Sequence, residues 1–320
     1  MADPERPSRV IPIDGVRQNG RSGSAPAPAE VARRLAQLEH EVEEALAAPD
    51  RQDAAGLVRS VLDEALGAYS DVRRWLAGEA RPEASPLGEL GRRLLFRLWW
   101  RVEVVGVERV PASGRVLVVV NRAGTLVPYA AFMVAEALEA PERAAVPCID
   151  PALLRLPVLG PMLAGLGGRL ATAREVRAIL RTDDLAVVLP EGPGTVGKPW
   201  SLRYRLGAFT RVPLLRTAIE TGAPIVPVAA IGSEETQPTL ARLEVLGRPL
   251  GLPALPVTPT LVPLPTKWTL CVGEPLDVAS RWPPAAAGDA QVLRALRVQV
   301  RERLQGLVSD GLRRRRGLFR

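Results

Sequence analysis

The stretch VLVVVNRAGTLVPYAAFMVAEAL, residues 116–138, decides the fold. Val116–Val120 form an unbroken apolar run, and alternation with polar residues is absent. Such a run reads as a strand buried on both faces, which is the habit of parallel sheets covered by helices. Asn121, Arg122, Gly124 and Pro128 then break the run, and an Ala-rich helical segment follows. Working outward, the pattern recurs in VEVVGVERV (102–110), AAVPCID (144–150), LAVVLPEG (185–192), APIVPVAAIG (223–232) and KWTLCVGEP (267–275). Helical stretches separate these runs. The spacing predicts an α/β domain with a mixed, largely parallel sheet flanked by helices. Its last helix is expected over Asp289–Ser309, with a stripe of Leu293, Leu296, Val300, Leu304 and Leu307.

Residues 1–30 are rich in Pro, Gly, Ser and Arg without apolar period and read as a disordered tail. Val31, Leu35, Leu38, Val42 and Leu46, then Val58, Leu62, Leu66, Tyr69, Val72 and Leu76, recur at helical spacing, so an N-terminal helical hairpin is expected over 31–79. The α/β domain should span 87–310, and 311–320 form a basic tail containing RRRRGLFR. The segment LGRRLLFRLWWR (90–101) mixes Arg with Leu, Phe and Trp. It suits a helix at a membrane interface, and equally one packed on the sheet with its arginines outward. Pro249–Thr266 is uncharged and carries six prolines, which rule out a regular spanning helix. It reads as a buried loop or an apolar loop against lipid.

Composition narrows the partners. The formal charge is +7, and a pI near 10.3 favours an anionic partner: a membrane surface, a phosphorylated ligand or nucleic acid. Cys148 and Cys271 form no metal-type cluster, and His40 is the single histidine, on a predicted face rich in Glu. Neither a metal nor a cofactor is expected. The polar start MADPERPSRV has no signal-type apolar core, so a cytoplasmic chain is expected. No nucleic-acid motif accompanies the basic charge, and no nucleic-acid partner is expected.

In open α/β sheets, ligands gather at the carboxyl ends of strands. Two strand ends stand out: the one after Val120, and LAVVLPEGPGTVGKPW (185–200), where Pro190, Glu191 and Gly192 follow a buried run. The latter resembles the Pro-Glu-Gly block of the phospholipid/glycerol acyltransferases, the family of the 1-acylglycerol-3-phosphate acyltransferases. The likeness continues through Gly197, Lys198, Pro199 and Trp200, through RTAIETGAPIVPVAAIGSEETQP (216–238), and through RLPVLGPMLAGLG (155–167). It covers roughly residues 90–310, with the blocks in order.

The resemblance implies transfer of an acyl group from acyl-CoA or acyl carrier protein to a glycerolipid hydroxyl. In that family a His, in an Asn-His-x-x-x-x-Asp-type loop, takes the hydroxyl proton and the Asp orients it. Here Asn121 matches the residue before the His, but the His position holds Arg122. The Asp falls at Val127 by the common spacing and at Tyr129 by a longer one. Arginine keeps its proton near pH 7 and is no base. The catalytic dyad is therefore degenerate.

The resemblance leaves Asn121, Arg122, Glu191, Gly192, Lys198 and Arg216 as substrate-binding candidates and Glu191 as a possible substitute base. Simpler readings stand beside these roles. Lys198 could be a solvated loop charge, Arg216 could pair with Glu220 at i, i+4, and Glu234 and Glu235 could serve a helix N-terminus. The implied protein binds a lipid or acyl donor at an anionic membrane's inner face, with weak or no transfer activity, alone or beside an active acyltransferase relative. The alternatives are an active acyltransferase using Glu191 and a basic nucleic-acid-binding protein.

Overall fold

The computed structural model describes residues 91–315, apart from 157 and 261. The expected N-terminal tail, the hairpin and the last five residues lie outside the described residues. The strands are β1 (Glu103–Val105), β2 (Val116–Val120), β3 (Ala145–Ile149), β4 (Arg169–Leu170), β5 (Leu185–Val188), β6 (Ile225–Ile231), β7 (Ala241–Leu243), β8 (Leu255–Val257) and β9 (Thr269–Val272). Seven of them form one sheet in the order β1-β9-β6-β2-β5-β3-β4, and β7 and β8 make a separate ribbon. From β6 to β4 every neighbour is parallel; β9 runs antiparallel to β6 and carries β1 parallel to itself. This is the mixed, largely parallel sheet that the apolar runs predict.

All of β2, β5 and β6 is buried, which explains why these strands show no polar alternation. Their residues nonetheless alternate between two cores. Val116, Val118 and Val120 face one side, with α1 (Tyr129–Leu138), while Leu117 and Val119 face the other. That second side is covered by α2 (Ala173–Arg181), α3 (Val212–Thr221) and the long C-terminal helix α4 (Ala290–Arg314). Asp289 caps α4 by accepting from the Gln291 amide at 2.7 Å. The helix continues beyond Ser309 to Arg314, because Val308 and Gly311 pack against β6 and β9. Arg313 and Arg314 thus belong to its last turn rather than to a separate tail.

The segment 90–101 divides its residues. Its described part is helical over 91–94 and continues as a π-helix over Leu95–Trp99. Phe96 and Trp100 are buried, and the Arg92 guanidinium meets Glu136 at 2.7 Å. Leu98 and Trp99 stay exposed. Trp100 stacks on Trp268 at 4.8 Å and meets Tyr129 edge-on at 5.0 Å, making an aromatic plug near the end of the sheet. The Pro-rich segment is likewise split. Leu252 and Ala254 are buried, while Leu250, Val257 and Val262 face out.

Candidate functional site

Because β2, β3, β5 and β6 are parallel, the loops that leave them meet at one end of the sheet. Asn121 leaves β2, Asp150 leaves β3, Glu191 follows β5, and the short helix Ser233–Thr236 follows β6. Asn121 is buried against β6, where its Oδ1 accepts from the Ala230 amide at 2.7 Å and its Nδ2 donates to the Ala230 carbonyl at 3.2 Å. That pair extends the β2–β6 ladder by one side chain, which consumes the amide in structure. Glu191 is also consumed: Oε1 accepts from the Arg122 amide at 2.8 Å and Oε2 from the Gly207 amide at 2.6 Å. Burial raises its carboxyl above the usual range, against the pull of those two amides and of Lys198. Gly192 stands at φ +64, and a β-carbon there would lie 2.9 Å from Thr210 Oγ1, so this turn requires glycine.

The Arg122 side chain folds inward. It is 3 % exposed, and its Nη2 donates to the carbonyls of Thr125 and Leu126 at 3.3 and 3.2 Å. Its Nε is buried without a hydrogen-bond partner. Burial lowers its pKa to about 10, with the negative charges of Asp150, Glu191 and Glu234 pulling the other way. Three units above neutral pH still leaves only about one guanidine in a thousand deprotonated. The two candidate positions for the carboxylate give no help. Val127 offers its carbonyl to Thr125 Oγ1 at 2.6 Å, and Tyr129 reaches Gln237 Oε1 at 3.4 Å. Burial raises the Tyr129 phenol to about 12. The space between Arg122, Thr125, Tyr129 and Ser233 is too narrow to admit a water molecule.

Lys198 is buried, its Nζ 2.5 Å from Glu234 Oε1 and 3.3 Å from the carbonyls of Arg122 and Arg205. It is neither a solvated loop charge nor an open phosphate ligand here. Glu234 also accepts from the amides of Gly124 at 3.1 Å and Tyr204 at 3.2 Å. Its neighbour Glu235 takes the Tyr204 hydroxyl and meets Arg315 at 2.7 Å. Arg315 donates further to the Lys267 carbonyl at 3.2 Å. The two acids therefore tie three loops and the C-terminal end of α4 together, beyond any role at a helix start. Tyr204 holds a left-handed φ of +60, fixed by this network and by the Gly232 amide donating to its hydroxyl at 2.7 Å.

The structure thus gathers Asn121, Arg122, Glu191, Gly192 and Lys198 and leaves Arg216 outside, exposed on α3. Nor does Arg216 take Glu220, whose Oε2 is held by Arg177 of α2 at 2.8 and 2.5 Å. Sequence reasoning missed Asp150, which pairs with Arg211 and caps its own following turn through the Ala152 amide at 3.0 Å. Its signal was available: it is the polar residue at the end of the apolar run AAVPCID, the place where ligand loops begin. Three cations (Arg122, Lys198, Arg211) face three acids (Asp150, Glu191, Glu234), so the cluster balances its own charge. Among the described residues no group of three or more His, Cys, Asp or Glu side chains is placed to hold a metal ion.

No family model matches the chain. It is 38% identical over 238 residues to an uncharacterized protein of Mycobacterium tuberculosis, covering 71% of this chain and 66% of the relative. An uncharacterized protein of Mycobacterium leprae is 37% identical over 238 residues, with 71% and 64% covered. The match therefore spans a little under two thirds of those relatives' length. Among solved structures, the 1-acyl-sn-glycerophosphate (LPA) acyltransferase PlsC from Thermotoga maritima superposes with a TM-score of 0.43 at 18% identity, over 87% of this chain and 89% of that one. A superposition of that size transfers neither fold nor activity.

Proposed function

We propose that this is an acyltransferase-type protein of glycerolipid metabolism that binds lipid or an acyl donor at a membrane surface and has lost the transfer step. One observation carries the reading: at the position of the proton-accepting His, a charged arginine is buried in a closed space and spent on backbone carbonyls. An acceptor hydroxyl has neither a base nor room beside it. Loss of a general base alone lowers the rate by about a hundred- to ten-thousand-fold. Glu191 makes a poor substitute, since both its oxygens already hold backbone amides. The ordered motif blocks support the lipid assignment.

Membrane attachment is supported by exposed apolar side chains in segments that adjoin one another. Leu98 is 71% exposed and Val262 64%, and the Trp99 indole donates to the Pro263 carbonyl at 2.8 Å, joining the 91–99 helix to the Pro-rich segment. Arg97 and Arg101 flank Leu98 in sequence, and each basic residue near an anionic surface adds about 1 kcal/mol. Among the described residues no helix is long and apolar enough to cross a membrane.

The test is a transfer assay on the purified protein, with acyl-CoA and acyl carrier protein donors and lysophosphatidate or diacylglycerol acceptors. The expected result is no turnover above background. Turnover at rates ordinary for such enzymes, lost in Glu191→Gln, overturns the proposal in favour of an active enzyme. Flotation with phosphatidylglycerol liposomes, expected to carry the protein up and to weaken with salt, tests the membrane half.

A further inference from the structure

A second recess shares no residue with the Arg122 cluster. A groove of about 530 Å³ runs between α4 and strands β1, β6 and β9. That volume falls in the range of small-molecule sites, about 300–1000 Å³. Its apolar lining comes from Val105, Pro227 and Cys271 on the strand side and from Leu307 of α4, next to Gly306. Its charges are unequal in their commitments. Arg109 is held by Glu274 at 3.0 Å and by the Val272 carbonyl at 2.8 Å, and Asp310 is held by Arg313. Arg303 and Arg314 line the same groove, are exposed, and have no carboxylate partner among the described residues. Eleven residues of helix put them about 16 Å apart along the axis, one toward each end.

We propose that this groove binds a free single-chain anionic amphiphile, its chain laid along the floor under α4 and its carboxylate or phosphate held by Arg303 or Arg314. An apolar trough selects the chain, and uncompensated guanidiniums at its ends select a negative head. The recess under a helix suits a single chain drawn out of solution better than a flat bilayer. The site shares no residue with the Arg122 cluster, so its failure would leave the proposed loss of transfer untouched, and the reverse also holds.

The experiment titrates the full chain with cis-parinarate, a fluorescent fatty acid, and displaces it with oleate, lysophosphatidate or oleyl alcohol. Gly306→Phe places a ring in the groove from a position whose β-carbon meets no atom within 4 Å, so the fold should survive; a melting curve checks it. Saturable binding is expected, weakened tenfold or more by Gly306→Phe. Arg303→Glu or Arg314→Glu should weaken oleate or lysophosphatidate at least fivefold and leave oleyl alcohol unchanged. The better of the two anions identifies the head as carboxylate or phosphate. Binding that ignores Gly306→Phe in a folded variant overturns the proposal. So does equal affinity for oleate and oleyl alcohol, or binding to phosphatidylglycerol vesicles through these arginines without binding of monomeric lipid.

Discussion

The loop after β2 sits at one end of the sheet and the groove under α4 lies along one of its faces, and they have opposite fillings. The first carries the recognisable motifs yet is closed, with three cations and three acids spent on one another or on backbone. The second takes only Pro227 from those motif blocks, yet it holds about 530 Å³ and two arginines without carboxylate partners among the described residues. The difference teaches that the residues of a strand-end motif can be taken up by the architecture while a cavity opens elsewhere. Asn121, Glu191 and Lys198 keep the loops in place by hydrogen bonds that an open active site would leave for a ligand.

The contrast is broken most forcefully at Lys198 and Glu234. Lys198→Met should cost about 3–5 kcal/mol, because it strands the buried Glu234 charge. Lys198→Met with Glu234→Gln should recover part of that loss. Urea denaturation measures both, and a single variant as stable as the parent would make the site an open one after all. A smaller effect is expected from pH. The Glu191 carboxyl is raised by burial, so the folded chain keeps this proton to higher pH than the unfolded chain. Its contribution to stability is complete below the unfolded carboxylate's range and is lost as pH rises through the folded value. The stability of the parent relative to Glu191→Gln should fall over that window; parallel curves would show that the carboxyl is not held apart from water. Smallest is Gly306→Ala in the groove. It adds a methyl to open space within a helix and should raise stability by up to about 1 kcal/mol, read as a higher melting temperature.

How far the sequence reached follows from the range of each interaction. Val116–Val120 and Ile225–Ile231 announce themselves because burial on both faces leaves no polar residue in them. The α4 stripe is equally plain, and only its end was misjudged, since Val308 and Gly311 pack on strands distant in sequence. β7 and β8 are three residues each, too short to set a period, while β1, equally short, showed only through the longer run 102–110. The position of Arg122 was legible from its neighbours; its burial was not, because Asp150 and Glu234 lie 28 and 112 residues away. Arg216 shows the opposite hazard. Helical spacing offered it Glu220, and a neighbouring helix took that acid with Arg177.

Arg315 bridges Glu235 and the Lys267 carbonyl, and Glu235 in turn fixes Tyr204. The C-terminal end of α4 is thereby latched onto segments 48 and 80 residues earlier in the chain. That latch can shut only once α4 has been made, so a nascent chain still lacking α4 would expose the sheet's terminal loops to the surrounding solvent.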